Sequence, residues 1–587
     1  MKTKLRTGRF RARARNFERT GTNALAYLSL LAVIVGVVAG YGAIAFRYMI
    51  AFFHNLFFFG KASFAFDSGA HFVSSWGAWI LLVPAIGLVV VAWLTRTFAP
   101  EARGHGVPEV MYAVVENRGR IRPVVALVKS LASAVCIGSG GSVGREGPIV
   151  QIGAGFGSSL GQLLGLRSRG IILLVGCGVA GGIAATFNAP IGGVAFAVEL
   201  ILPEYNLMTF MPLIVSSTTA TTIAGIYLGD SPAFVVPEYH LASPVEFAFY
   251  LLLGLAVAVG SIAFVSMLYR TEDFFDRLKL NPYLKAFAGG LLLGAVALTL
   301  RHVSGHYYLL GVGYSFISDL LVSAPPSLLL VLSLVVLKIF ATSLTLGAGG
   351  SGGVFAPSLF IGAAIGGAVG MTCHRLFPNL AAPASAYALV GMAAMVAGTT
   401  GATFTSIVMT FEMTRNYDIM LPLMLSVVVA NYLVRYFYKE TIYTKKLVRR
   451  GVNIQFDKLI SVFRMIPAKS VADPDVVSVR PDDTVSFVIA RASENRLNTL
   501  PVVDGDRVLG TIRCTEIFTA LPNEPIEAYV TRRDLLLPED ADCMTALERM
   551  DAANSELLLI AGPKGPSRVV TKGAVLREYF RRKRTLM

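Results

Sequence analysis

Six stretches, Leu28 to Ala45, Trp79 to Leu94, Phe249 to Met267, Ala286 to Leu300, Leu328 to Thr345 and Ile419 to Leu433, are apolar, almost free of charge and long enough to cross a bilayer. Shorter apolar runs, Ile171 to Val179, Ile191 to Leu202 and Tyr387 to Ala397, carry or are flanked by Gly and Pro. They predict helices that enter the membrane, break and stop inside it. Irregular backbone at that depth is tolerated only where protein buries it or where it lines a polar cavity. The composition agrees with a membrane protein: 54% of residues are hydrophobic, 15% are charged, and the mean hydropathy is +0.62.

The net charge of +15 would suit a nucleic-acid partner, but much of the excess lies in two tracts. These are "MKTKLRTGRFRARARNFER" at the N-terminus and "KKLVRRG" after the last span. Basic tracts flanking membrane spans stay in the cytoplasm, which places both termini there, makes the number of crossings even, and predicts a multi-pass protein of the plasma (inner) membrane with the lipid bilayer, not nucleic acid, as partner. Thr20 to Arg47 has no convincing small-residue cleavage pattern and is long enough to span, so it reads as a retained helix. The five cysteines, Cys136, Cys177, Cys373, Cys514 and Cys543, form no CxxC, and no histidine sits with Cys, Asp or Glu at ligand spacing. Neither a metal site nor an enzyme is expected.

A repeat organises the apolar region. "GGSVGREGPIVQIGAG" (Gly140 to Gly155) matches "GGSGGVFAPSLFIGAA" (Gly349 to Ala364) without gaps at half its positions, 209 residues apart. "NAPIGGVAFAVE" (Asn188 to Glu199) and "GATFTSIVMTFE" (Gly401 to Glu412) follow in order at nearly that offset. Small residues let membrane helices pack closely, which explains shared glycines but not two ordered blocks. Glycine-broken segments at corresponding places in two halves predict an inverted-repeat channel or transporter, with its site near the midplane where the breaks meet. No GK[ST] follows the glycines, so a P-loop is excluded.

The chemistry of broken helices names the cargo. A helix N-terminus offers unpaired N–H groups and the positive dipole end, so it attracts anions with partial charges that still let them leave. Two such termini, after Gly144 and after Gly353, predict one site for a small anion. An ionisable residue in a membrane segment is functional by default, and Glu146 can imitate the anion when ionised and clear the path when protonated or displaced. An Arg145–Glu146 ion pair is the bland alternative, but adjacent helical residues do not face each other. Arg145 is expected to hold the turn.

"GREGP" (Gly144 to Pro148), "GVFAP" (Gly353 to Pro357) and "GHGVPE" (Gly104 to Glu109) resemble the three anion-site motifs of the CLC chloride channel and transporter family. "IYTKKL" (Ile442 to Leu447) is similar to that family's segment with the pore tyrosine, and "FEMT" (Phe411 to Thr414) to a late helix motif. The resemblance spans roughly residues 25 to 450. It implies an all-α polytopic CLC fold of broken helices and a homodimer with one pore per subunit. It also implies bound chloride but no required cofactor. By resemblance Glu146 is the gate. Val354, Phe355, Gly106, Gly147 and the Tyr443 hydroxyl contribute to the anion sites, and Arg145 and Lys129 shape the potential.

Two positions depart from the family pattern. His105 stands where a serine is usual; neutral imidazole donates one hydrogen bond, and imidazolium would add charge. The ring either lines the pore or points away and leaves backbone to bind. The second departure is Leu200, which follows Glu199 where exchangers of this family commonly carry the inner proton-relay glutamate. Leucine carries no proton, so a channel or uncoupled conductor is expected, the alternative being a chloride/proton antiporter using Glu199, Glu204 or water.

The expected domains are a basic N-terminus (1–22), a transmembrane domain (23–450, halves about 23–230 and 245–450), a linker (451–465), and two tail modules (466–522 and 523–582). The tail is charged, with β-branched runs, an Asp504-Gly505 turn and an amphipathic helix over Thr484 to Asn495, the marks of a small soluble α/β domain. It resembles a CBS pair with a degenerate second copy. Such a pair often binds an adenine nucleotide such as ATP or AMP through an Asp. Glu516 and Ala574 stand at the corresponding places, so a purely structural tail competes with a nucleotide sensor.

Overall fold

The computed structural model describes residues 21–65, 74–203, 207–229, 234, 243–322, 326–452, 463, 466–495, 497–505, 507–532, 535–562 and 565–586. The basic tract before residue 21, Glu204 and nearly all of the expected linker lie outside them. The chain forms two compact units, Met1–Asn453 and Ile454–Met587.

The first unit is helical. Among the described residues nine helices are long and apolar enough to cross a membrane. All six long apolar runs fall within them: Leu28 to Ala45 inside Gly21–Phe59, Phe249 to Met267 inside Glu246–Arg277, Ala286 to Leu300 inside Pro282–Ser304, and Leu328 to Thr345 inside Leu328–Gly347. The other two are Trp79 to Leu94, taken by a 3-10 turn Gly77–Leu82 running into Val83–Phe98, and Ile419 to Leu433, which begins at the N-cap of Met420–Phe437 and continues into that helix. Large apolar side chains such as Leu30, Val259, Leu329 and Val336 face outward from these spans, as a lipid solvent permits.

Two of the shorter runs behave differently from expectation. Ser168–Phe187 and Ala384–Thr400 are unbroken helices despite their glycines. The reason is close packing of backbone on backbone. A Cβ at Gly178 would lie 1.9 Å from the Gly153 carbonyl oxygen, and one at Gly153 would lie 2.1 Å from that of Gly178. Gly362 and Gly391 repeat the arrangement in the second half, at 2.2 Å and 2.3 Å. These glycines are small-residue contacts that let Glu146–Leu164 meet Ser168–Phe187, and Phe355–Leu376 meet Ala384–Thr400.

The true breaks lie in the loops of the repeated blocks. Pro123–Gly138 ends in residues 139–145 before Glu146–Leu164 begins; Leu328–Gly347 ends in residues 348–354 before Phe355–Leu376. Pro148 and Pro357 are each the third residue of their helix, where the first turn has no intrahelical acceptor for their missing N–H.

The tail contains two three-stranded sheets, ordered β1 (Thr499–Asp504), β2 (Arg507–Arg513), β3 (Thr531–Arg532) and β4 (Leu536–Leu537), β5 (Leu557–Gly562), β6 (Gly565–Thr571). The predicted amphipathic helix is Val485–Glu494, with Thr484 as N-cap accepting from the Phe487 N–H. The two cores interleave across the expected boundary near residue 523. Ile466, Ala468 and Ala472 pack with Leu537, Cys543, Ile560 and Val570 of the later module. Conversely Pro525 bridges to Thr484, and β3 pairs with β2 of the earlier module. Ending the chain after Pro522 should therefore unfold both modules: it removes β3 from one core and strands Ile466, Ala468 and Ala472 from the other. Limited proteolysis of the shortened chain should find cleavage sites on both sides of residue 500 that the full chain protects.

Candidate functional site

The two broken-helix loops meet. Gly144 donates its N–H to the Gly353 carbonyl at 2.7 Å, and Gly353 donates back to Gly144 at 2.6 Å. The motif around Gly104 joins them: Gly104 donates to Gly350 at 3.1 Å and accepts from Gly352 at 3.2 Å. Such mutual pairing satisfies loop backbone that lipid could not. "GREGP", "GVFAP" and "GHGVPE", far apart in sequence, thus form one cluster.

Glu146 is the first residue of its helix and is buried. Its carboxylate reaches across to the other half: Oε2 accepts from the Ala356 N–H at 3.3 Å, while Oε1 accepts from the Tyr314 hydroxyl at 2.5 Å. Gly144 makes the fold-back possible, because a Cβ there would lie 2.2 Å from Glu146 Oε2. Gly147 is equally confined: a Cβ would lie 2.2 Å from the His105 carbonyl oxygen. Val354 and Phe355 stand as N-cap and first residue of the same helix end that meets Glu146. Arg145 makes no ion pair with its neighbour's carboxylate; its guanidinium lies 5.4 Å from the Tyr314 ring centroid and 3.4 Å from the Thr186 carbonyl oxygen.

His105 is completely buried, and among the described residues neither ring nitrogen has a hydrogen-bond partner. Its ring centroid is 6.2 Å from that of Tyr443, itself buried at the entry to Thr444–Val448. Gly106, at φ +83°, precedes the helix Val107–Val115. The "KKLVRRG" tract is more than a topology signal. Arg450 and Lys446 pair with Glu109 of "GHGVPE" at 2.6 Å and 3.2 Å, and Arg449 pairs with Asp273 at 2.8 Å. The two pairs to Glu109 tie the Tyr443 segment to the His105 segment, and the third ties it to the helix Glu246–Arg277.

Lys129 is buried and donates three bonds, to the carbonyls of Ala102 (3.0 Å) and Gly104 (2.7 Å) and to Ser351 Oγ (3.0 Å). Sequence reasoning missed its counterpart. Lys338, at the same offset of 209 residues, is buried too, 3.4 Å from the carbonyls of Leu309 and Gly311, with Nζ 4.9 Å from the Phe360 centroid. That offset also carries Gly104-His105 onto Gly313-Tyr314, a signal that extending the gap-free alignment would have found.

The two glutamates that close the second repeated block serve as caps. Glu199 accepts from the N–H groups of Phe404 and Thr405 and from Thr405 Oγ1, at 3.2, 2.8 and 2.7 Å, at the start of Thr403–Thr414. Glu412 returns the contact, accepting from Ile191 and Gly192 at 2.9 and 2.6 Å at the start of Pro190–Phe196. Each half caps the other's helix, and a carboxylate at a helix start is favourable. Leu200 sits in the wider turn Ala197–Ile201 that follows. In the tail Glu516 ends a short turn after β2, 3.7 Å from the Arg513 guanidinium, and Ala574 lies in Lys572–Leu586.

Two helical halves sharing one cluster of glycine-broken helix starts define an inverted-repeat membrane protein. The chain belongs to the CLC family: the family model described as voltage gated chloride channel matches residues 87–435, and a CBS domain model matches 468–523. The chain is 34% identical to the Ralstonia nicotianae protein named "Putative chloride channel protein ClcB-like", over 63% of this chain and 90% of that one. It is 30% identical to the H(+)/Cl(-) exchange transporter ClcA of Yersinia pseudotuberculosis, over 72% and 87%. A slow cyanobacterial Cl-/H+ antiporter shares the fold with a TM-score of 0.62 at 24% identity, covering 72% of this chain and 97% of that one.

Proposed function

We propose that this protein moves chloride across its membrane through a path gated by Glu146, as an uncoupled conductor. The observation that carries the reading is the Glu146 carboxylate resting on the N-terminal end of Phe355–Leu376, 3.3 Å from the Ala356 N–H. A negative oxygen there occupies a place suited to an anion, so an anion and the side chain compete for it. Val354, Phe355, Gly147, Gly106, His105 and Tyr443 surround the path. His105 favours a pore-lining role because its buried ring nitrogens have no protein partner among the described residues. Family membership supports a homodimer with one path per subunit, cytoplasmic termini, and no required cofactor. Nucleotide binding by the tail would lack a carboxylate at Ala574, which favours a structural role.

Uncoupled conduction is favoured by Leu200 together with the engagement of its neighbour. Glu199 accepts three hydrogen bonds as a cap, so protonating it would loosen the start of Thr403–Thr414. The test is chloride flux in proteoliposomes at clamped voltage under an imposed proton gradient. The zero-flux voltage should follow the chloride gradient alone, at about 59 mV per tenfold gradient for a univalent ion. A displacement by the proton gradient would instead establish antiport. Leu200→Glu is then expected to introduce such a displacement.

A further inference from the structure

Tyr314 belongs to none of the glycine-rich motifs, yet among the described residues it is the side chain that hydrogen-bonds the Glu146 carboxylate. It opens the helix Tyr314–Val322, directly after Gly313 at φ +85°. Its ring is held from several sides. The Arg145 guanidinium lies 5.4 Å from its centroid, and Phe234 packs edge-on at 5.3 Å. Lys338, through the carbonyls of Leu309 and Gly311, secures the segment that leads into it. The phenol therefore approaches Glu146 from a braced position.

We propose that Tyr314 is a latch on the Glu146 gate: a positioning residue whose hydroxyl holds the carboxylate against the start of the Phe355–Leu376 helix and sets the proton concentration at which the path opens. The inference rests on the reading of Glu146 as the gate. An ionised carboxylate accepts from the Tyr314 hydroxyl on one oxygen and the Ala356 N–H on the other. Bonds to an ionised acceptor are roughly twice as strong as neutral ones. A protonated carboxyl has one oxygen turned donor and cannot accept equally well on both. The latch thus favours the ionised, blocking form.

Other titratable groups bear on the same carboxylate. Arg145 adjoins it and lies within electrostatic range of Arg47 of the first long helix; Tyr443, in the final membrane segment with His105 beside its ring, lies within electrostatic range of the carboxylate. Only Tyr314 among these side chains donates to it among the described residues. The repeat adds a second view: Tyr314 holds in the second half the place of His105 in the first, so one position supplies a ring beside Tyr443 and the other a ring on the gate.

Tyr314→Phe keeps the ring and its contacts while removing the donor. In proteoliposomes of the full chain, the pH of half-maximal chloride flux should rise by about one pH unit, because less acid is needed to free the gate. Glu146→Gln should abolish the pH dependence, and adding Tyr314→Phe to it should change nothing further. 3-Fluorotyrosine at position 314, nearly the same size and a stronger donor, tests the idea even where the phenylalanine variant fails to fold. A midpoint at or below that of the unmodified protein supports the latch, and a raised one overturns it. An unmoved midpoint in Tyr314→Phe, with pH dependence lost in Glu146→Gln, overturns the latch alone. Persistence of pH dependence in Glu146→Gln overturns the gate on which it rests.

Discussion

Glu146→Gln is expected to conduct chloride at a rate that varies less than about twofold from pH 4.5 to 7.5, where the unmodified protein should vary by about tenfold or more. Glutamine keeps the shape of a protonated glutamate but has no ionised form. It can still accept from Tyr314, but it carries no charge to compete with an anion at the Phe355–Leu376 helix start, where Glu146 now sits 3.3 Å from the Ala356 N–H. Chloride-flux assays across this pH range, with the voltage clamped, measure the difference. Equal pH dependence in both proteins would remove Glu146 from the gate. Glu146→Ala tests the same point without the amide and should be at least as permissive, since nothing then fills the space beside Gly144.

Gly178→Leu is expected to abolish folding, with an effect well beyond the usual overpacking cost of about 1–3 kcal/mol. The ordinary penalty assumes that side chains can shift. Here the obstacle is the carbonyl oxygen of Gly153, 1.9 Å from the new Cβ, on a helix that also carries Glu146. The candidate site and the core share this helix, so relieving the clash would move Glu146. Gly391→Leu should fail in the same way against Gly362, where the Cβ would lie 2.3 Å from the carbonyl oxygen. Gly225 is the control. It lies within Leu207–Leu228, where a Cβ added to it would meet nothing within 4 Å, and Gly225→Ala should be neutral or slightly stabilising. Size-exclusion elution in detergent and thermal unfolding of the three variants distinguish the cases.

Much of the fold was legible because membranes impose simple local rules. Apolar length located the spans, and proline after a glycine run located the helix starts at Glu146 and Phe355. Glycines inside apolar runs were harder to interpret. The same residue type marks a chain break at Gly144 and a helix contact at Gly178, and only the distance to another backbone separates the two. Leu200 was identified from one residue beside Glu199, but the capping bonds of Glu199 depend on Thr405, over two hundred residues away. Tyr314 escaped notice because a tyrosine after glycine has no local meaning; its significance comes from reaching Glu146 across 168 positions of sequence.

The sequence by itself determined that this is a membrane protein of two related halves, that helix starts of a kind suited to anions follow its two glycine runs, and, through the family resemblance, that Glu146 and Leu200 are the positions to test. Periodicity, apolar length and repeat offset are properties of the chain read in order, so no folded structure is needed to see them. Tertiary structure alone decided which glycines touch, that Glu199 and Glu412 cap each other's halves, that Lys129 and Lys338 brace equivalent loops, and that the two tail cores exchange segments. Each is a contact between residues distant in sequence, and its energy depends on distances of a few ångströms that only packing sets.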